Sequence, residues 1–192
     1  MVFRPGSSKG LESAISKALG TSVLGAESLS GGDINDAHAV TLGDGRTVFV
    51  KSNVRSPKGM FASEARGLAW LAEAKAVRLP QVLAVGPDDG DDAPSFLVLE
   101  LIAPSSRSRE FDDRLGQRLA ALHRHGAPGF GLDHDNFIGR LPQSNAARPT
   151  WVEFYRDCRL QPQLRRAVDA RRASPAMING FERLFDRLDQ LV

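Results

Sequence analysis

Gly31-Gly32-Asp33-Ile34-Asn35 is followed by Thr47-Val48-Phe49-Val50-Lys51, and then by a stretch from Phe61 to Leu71 that carries Glu64. The order of these three pieces decides how the chain is read. The second is rich in β-branched and aromatic residues and reads as a strand. Gly43-Asp44-Gly45 before it is a tight-turn signal, so His38 to Leu42 and Thr47 to Ser52 should form a hairpin. Period two puts Lys51 on the same face as Phe49. In the third piece Phe61, Leu68 and Leu71 make an apolar helical stripe, and Glu64 falls inside it. A carboxylate turned toward a core needs a partner.

In a kinase-like N-lobe that partner is a strand lysine, here Lys51, which then holds nucleotide phosphates. The competing reading has Glu64 only skirting the stripe and Lys51 solvated, and these two residues alone leave both open. Gly31-Gly32 is equally two-sided, because most such pairs are ordinary turns. It is no Walker A loop, since no Lys-Ser or Lys-Thr follows, and no dinucleotide fingerprint, since a strand follows where a helix is needed. Its place between a strand over Ser22 to Ser30 and the lysine hairpin favours a phosphate loop. Backbone amides at a glycine turn approach phosphate oxygens closely because no Cβ intervenes.

Composition narrows the class. Of 192 residues, 42% are hydrophobic and 25% charged, as in an ordinary soluble globular chain. A net charge of +2 is too small to argue for nucleic acid. Arg165-Arg166 and Arg171-Arg172, the densest basic cluster, fit a solvated helix face. A single cysteine, Cys158, excludes an internal disulfide and suits a reducing cytosol, so the expected location is cytoplasmic. No signal peptide is read, and no apolar run approaches the roughly 18 residues a membrane span needs.

The remaining pattern reads as an α+β chain. A first helix runs from a Ser8 cap, through Leu11, Ile15 and Leu19, to a stop at Gly20. The Glu64 helix ends before Pro80. Gln81 to Val85 is a fourth strand, Gly86 to Asp92 a turn, and Ser95 to Ile102 a fifth, central strand. Ala103-Pro104-Ser105-Ser106 is the candidate linker, giving lobes over 1–103 and 104–192. The second lobe is helical, with Leu115, Leu119 and Leu122 on one face of its first helix. Gly126 to Asn145 reads as a long loop. Trp151, Phe154, Tyr155 and Cys158 begin a helix with an aromatic face of the core type. Ser174-Pro175 starts a last helix whose stripe runs from Ile178 to Leu191. The carboxylates of the Gly86 to Asp92 turn read as a solvated tip. The Asp133-His134-Asp135 triplet is a poor metal site, because adjacent loop residues seldom face one ion. Cys158 reads as buried and inert.

The ordered set of motifs resembles the fructosamine kinase, or ketosamine-3-kinase, family in its bacterial form. The resemblance rests on Gly31 to Asn35, Phe49-Val50-Lys51, Phe61 through Glu64 to Leu71, and Phe96-Leu97-Val98-Leu99-Glu100. It continues through Leu115-Gly116 to Leu122-His123, Asp135-Asn136-Phe137-Ile138-Gly139 and Pro142-Gln143-Ser144-Asn145. Trp151-Val152-Glu153-Phe154-Tyr155 and Arg159-Leu160 with Gln161 and Gln163 complete it. The resemblance implies a protein-kinase-like fold: a five-stranded antiparallel sheet with a helix packed on it, then an incomplete helical lobe. It implies transfer of phosphate from ATP, with Mg2+, to O3 of the sugar in a ketosamine, a step that repairs glycated protein.

By the same resemblance Gly31, Gly32, Asp33, Ile34 and Asn35 cover the ATP phosphates, while Lys51 contacts them and Glu64 positions Lys51. The backbone of Glu100, Leu101 and Ile102 is the adenine hinge. Asp33 stands where some relatives carry a cross-linking cysteine, so that redox switch should be absent. The family's His-Gly-Asp-Leu-Trp-Ser-Gly-Asn type loop, with its base and magnesium ligands, has no counterpart in residues 1–192. His125-Gly126 is followed by Ala127 and lies too early. The chain is therefore expected to be inactive alone, with no catalytic residue and no metal ligand of its own. It is also expected to self-associate through an incompletely covered helical half. Two other readings stand beside it: a catalytically dead nucleotide-binding or interaction remnant, and a choline- or aminoglycoside-type phosphotransferase. Partners are ATP and a glycated amine, with neither nucleic acid nor membrane.

Overall fold

A computed structural model describes residues 8–30, 34–88 and 94–191, with Ser8 and Lys9 in backbone only. The chain divides into two compact units, Met1–Gly126 and Ala127–Val192. In the first, helix α1 (Ser8–Leu19) precedes strands β1 (Val23–Ser28), β2 (Asp36–Leu42) and β3 (Thr47–Asn53). Helix α2 (Met60–Glu73), β4 (Val82–Val85), β5 (Ser95–Glu100) and helix α3 (Phe111–His125) follow. The strands form one antiparallel sheet in the order β1-β2-β3-β5-β4.

Both faces of the sheet are covered, and the strand period sorts their residues. Leu11 and Ile15 of α1 pack with Val40, Leu42, Val48, Val50, Phe96 and Val98. The alternate positions Phe49, Leu97 and Leu99 meet Phe61, Ala65 and Leu68 of α2. The sheet is thus a double-sided layer whose central strands carry the core on both faces, which explains the nearly unbroken apolar run Phe96 to Leu99. Gly20 at φ 68° ends α1 in the left-handed conformation that glycine adopts without strain.

Two details fix the lysine hairpin and the helix behind it. The turn closes with Leu42 N–H donating to Arg46 O (2.9 Å) and Gly45 at φ 86°. Gly59, also left-handed at φ 83°, precedes α2, and its N–H donates to the Asp88 carboxylate at 2.8 Å. Just beyond β4, Gly86 N–H donates to Phe96 O (2.8 Å), and a Cβ at Gly86 would lie 2.3 Å from the Phe96 ring. Only glycine permits that approach.

The end of the central strand differs from expectation. β5 ends at Glu100, and residues 101–108 have no regular structure, so Leu101 and Ile102 leave the ladder. The compact first unit reaches Gly126 and so includes α3. α3 displays its leucine stripe but has no buried residue, with Leu115 and Leu119 exposed.

The second unit is not the plain loop-and-helix run that was expected. Within 126–145 lies a short hairpin, β6 (Asn136–Ile138) with β7 (Leu141–Gln143). The helix from Trp151 comes in three pieces: α4 (Trp151–Tyr155), a π-helical turn over Arg156–Leu160, and α5 (Gln161–Asp169). Thr150 and Glu153 cap α4 reciprocally in a capping box. Ser174 Oγ accepts from Met177 N–H at the start of α6 (Pro175–Phe185), which α7 (Leu188–Leu191) follows. The aromatic face splits: Phe154 is buried but Trp151 is 43% exposed, stacked on Tyr155 at 5.5 Å.

Candidate functional site

Lys51 and Glu64 meet as the strand and helix periods require. The Lys51 ammonium donates to Glu64 Oε1 at 2.7 Å, beside the Phe49–Phe61–Leu68 cluster. The solvated alternative is excluded. With the side chains 28% and 32% exposed, the pair contributes at most about 1 kcal/mol to stability, so its consequence is orientation. An ammonium has three donors, and the Glu64 bond engages one of them.

Ile34 and Asn35, where the glycine stretch runs into β2, are held by a residue the sequence reading passed over. Asn53 Nδ2 donates to Ile34 O and to Asn35 Oδ1, both at 2.9 Å, and Asn53 Oδ1 accepts from Arg55 N–H at 2.8 Å. Asn53 is 7% exposed, so these bonds satisfy a buried amide. It stands two residues beyond Lys51 on the same strand, a spacing that puts it on the lysine's face but does not announce its contacts 18 and 19 residues back. Gly31, Gly32 and Asp33 lie outside the described residues.

Glu100 closes β5 opposite Val48. Its N–H donates to Gln81 O at 2.8 Å, and its carboxylate accepts from Arg78 and from Gln81 N–H. The Arg78 guanidinium, aided by that N–H, holds the carboxyl below its usual pKa. The side chain therefore braces the approach to β4, and the following residues, half-buried Leu101 and exposed Ile102, present free-running backbone.

The motifs that carried the resemblance in the second unit converge on a different object. Asn145, 2% exposed, donates through Nδ2 to His134 O (2.9 Å) and through its N–H to Asp135 Oδ1 (2.8 Å). Arg159, on the π-helical turn, donates to Asn145 Oδ1 (2.6 Å), Ser144 O (2.8 Å) and Cys158 O (2.9 Å). Its guanidinium also lies over the Phe154 ring at 4.4 Å, and burial lowers its pKa. Cys158 is buried with Sγ 3.6 Å from Ala146 O. Asp157 bridges Arg156 and Arg148, whose hydrogen bonds, Arg156's first, hold its carboxyl below the usual 3.8. Arg166, read as solvated, donates to Pro142 O at 2.9 Å. This is a tie between loop and helix, in which both terminal nitrogens of Arg159 and the side-chain amide of Asn145 bond to protein.

Comparison with known proteins agrees with this geometry. The profile of the family described as fructosamine kinase matches residues 8–192. The Klebsiella aerogenes protein named "Probable ketoamine kinase" is 38% identical over 142 residues, 73% of this chain and 48% of its own length. A chloroplastic protein-ribulosamine 3-kinase of Oryza sativa subsp. japonica is 34% identical over 175 residues, 89% of this chain and 49% of its own. The crystal structure of a candidate fructosamine-3-kinase from Thermobifida fusca superposes with a TM-score of 0.80 at 33% identity, covering 94% of this chain and 61% of that one. The chain spans about half the length of the curated relatives it matches. With a five-stranded sheet, a strand lysine paired to a helix glutamate and a family match over nearly its whole length, the chain has a protein-kinase-like fold and belongs to the fructosamine kinase family.

Proposed function

We propose that this chain forms the nucleotide-binding part of an ATP-dependent ketosamine 3-kinase, acting on sugar-amine adducts of protein. The observation that carries the reading is the Lys51–Glu64 ion pair, formed on the sheet of a fructosamine kinase family member. In this reading Lys51 contacts the phosphates, Glu64 orients it, and Gly31 to Asn35 cover them. The backbone of Glu100 to Ile102 takes the adenine, and the departure of Leu101 and Ile102 from the ladder supports that role. We place the functional boundary between lobes at residue 103, within that unpaired stretch. The chain's one cysteine is buried, and no described helix is long and apolar enough to cross a membrane; a cytoplasmic setting fits both. The half-exposed stripe of α6, which has no buried residue, supports self-association.

Magnesium would offset charge on the phosphoryl oxygens when bound. Among the described residues no group of three or more His, Cys, Asp or Glu is placed to hold a metal ion, so no step is assigned through it. Phosphoryl transfer also needs an oriented hydroxyl, and residues 1–192 contain no His-Gly-Asp stretch. The test is an assay with a fructosyl-amine, ATP and magnesium, run on residues 1–192 beside a form extended with the remaining half of a family relative. Phosphorylation of the sugar by the extended form, with the shorter chain slower by about ten-thousandfold or more, is the expected result. Comparable turnover by the two would overturn the reading of residues 1–192 as the nucleotide-binding part alone.

A further inference from the structure

We infer that Asn53 is a positioning residue for nucleotide phosphate, acting through the segment Ile34-Asn35; the inference rests on the nucleotide reading above. The physical case begins with location. β3 carries Lys51 and Asn53 at alternate positions, so one strand presents both the ammonium and the amide on the face toward α2. The amide spans 19 and 18 residues of sequence to reach Ile34 O and Asn35 Oδ1. It therefore fixes where the chain rejoins the sheet relative to Lys51.

The bonding pattern makes Asn specific. The two amide hydrogens serve Ile34 and Asn35, and the amide oxygen serves Arg55 N–H. Asp supplies only the acceptor, and Ala supplies neither. Ser and Thr are too short to span both directions. Because Asn53 is buried and engaged on every side, it touches no ligand itself. Its effect would be felt only by the part of the nucleotide that Ile34, Asn35 and Lys51 face.

The experiment titrates the chain with ATP, ADP and adenosine by calorimetry, alongside Asn53→Ala, Asn53→Asp and Lys51→Ala. Losing two loop-directed hydrogen bonds should weaken ATP and ADP about tenfold while leaving adenosine within about twofold. Asn53→Asp, which keeps the Arg55 acceptor, should behave like Asn53→Ala. Should both fail to fold, Asn53→Ser, too short to reach both Ile34 O and Asn35 Oδ1, should weaken ATP about tenfold with adenosine unchanged. Equal weakening of all three ligands, or an unchanged preference for ATP in folded variants, would show a merely structural amide. A preference for ATP over adenosine that Lys51→Ala removes and the Asn53 variants keep would sink this inference alone. A parent chain with no such preference would overturn the nucleotide reading and this inference together.

Discussion

The Lys51–Glu64 contact and the Asn145–Arg159 tie are both polar pairs set against aromatic side chains, and they are built for opposite ends. The first joins two half-exposed charges, uses one donor of three, and leaves the ammonium capacity for a ligand. The second spends the terminal nitrogens of a guanidinium on two backbone carbonyls and a buried amide oxygen, and that amide in turn donates to a backbone carbonyl. The lesson is that the residues by which a family is recognised need not be those that meet its substrate. Pro142 to Asn145 and Arg159 identify this chain as clearly as Lys51 does, yet they hold a loop on a helix.

The contrast can be broken most decisively at Arg159. Arg159→Ala leaves Asn145 Oδ1 and two backbone carbonyls without their donor, and should cost about 3 kcal/mol of unfolding free energy in urea. ATP affinity, measured in the folded variant, should change less than about twofold. A large loss of nucleotide affinity with unchanged stability would reverse the roles drawn here.

Lys51→Ala is the mirror experiment. Its ATP affinity should fall about tenfold to thirtyfold, while unfolding free energy shifts by no more than about 1 kcal/mol. A strongly destabilised Lys51 variant would place this pair with the structural ties.

A smaller effect sharpens the second region through pH. Asp157 ionises more readily folded than unfolded, because Arg156 and then Arg148 hydrogen-bond the carboxylate. Its contribution is complete above the usual aspartate value of 3.8 and fades as pH falls through the lowered folded value. Asp157→Asn should therefore melt below the parent at neutral pH, and the gap should close as acid approaches and passes that lowered value. A gap constant with pH would mean that the carboxylate charge is not what the arginines read. The least effect is expected at Cys158→Ala, where a small buried thiol with one weak 3.6 Å contact is removed: about 1 kcal/mol or less by thermal melting, and no change in nucleotide binding.

How far each region could be read beforehand follows from the range of the interactions. The faces of Lys51 and Glu64 were legible because each sits in a strong local period, two in the strand and 3.6 in the helix, but the periods left their pairing open and only the resemblance joined them. The sheet was legible for the same reason. Asn53 was not, since nothing local says that an amide at a strand end reaches back to residue 34. The β6–β7 hairpin escaped notice because three-residue strands flanked by Gly139 and containing Pro142 show no alternation. Asn145 and Arg159 were recognisable as family text, but their bonds depend on a π-helical turn that no sequence period announces. Trp151 was assigned to a core from its helical spacing with Phe154, whereas only Phe154 turns inward.

The bond from Gly59 N–H to Asp88 has a mechanical meaning. It pins one end of α2 to the turn after β4, and so gives the helix a fulcrum. Glu64 lies five residues along, about 7.5 Å from that point at 1.5 Å per residue. A pivot of about 20° would carry its backbone about 2.6 Å, a displacement comparable to the whole 2.7 Å separation from Lys51. The leverage is short, so a modest rotation suffices to make or break the ion pair while the anchored end stays in place.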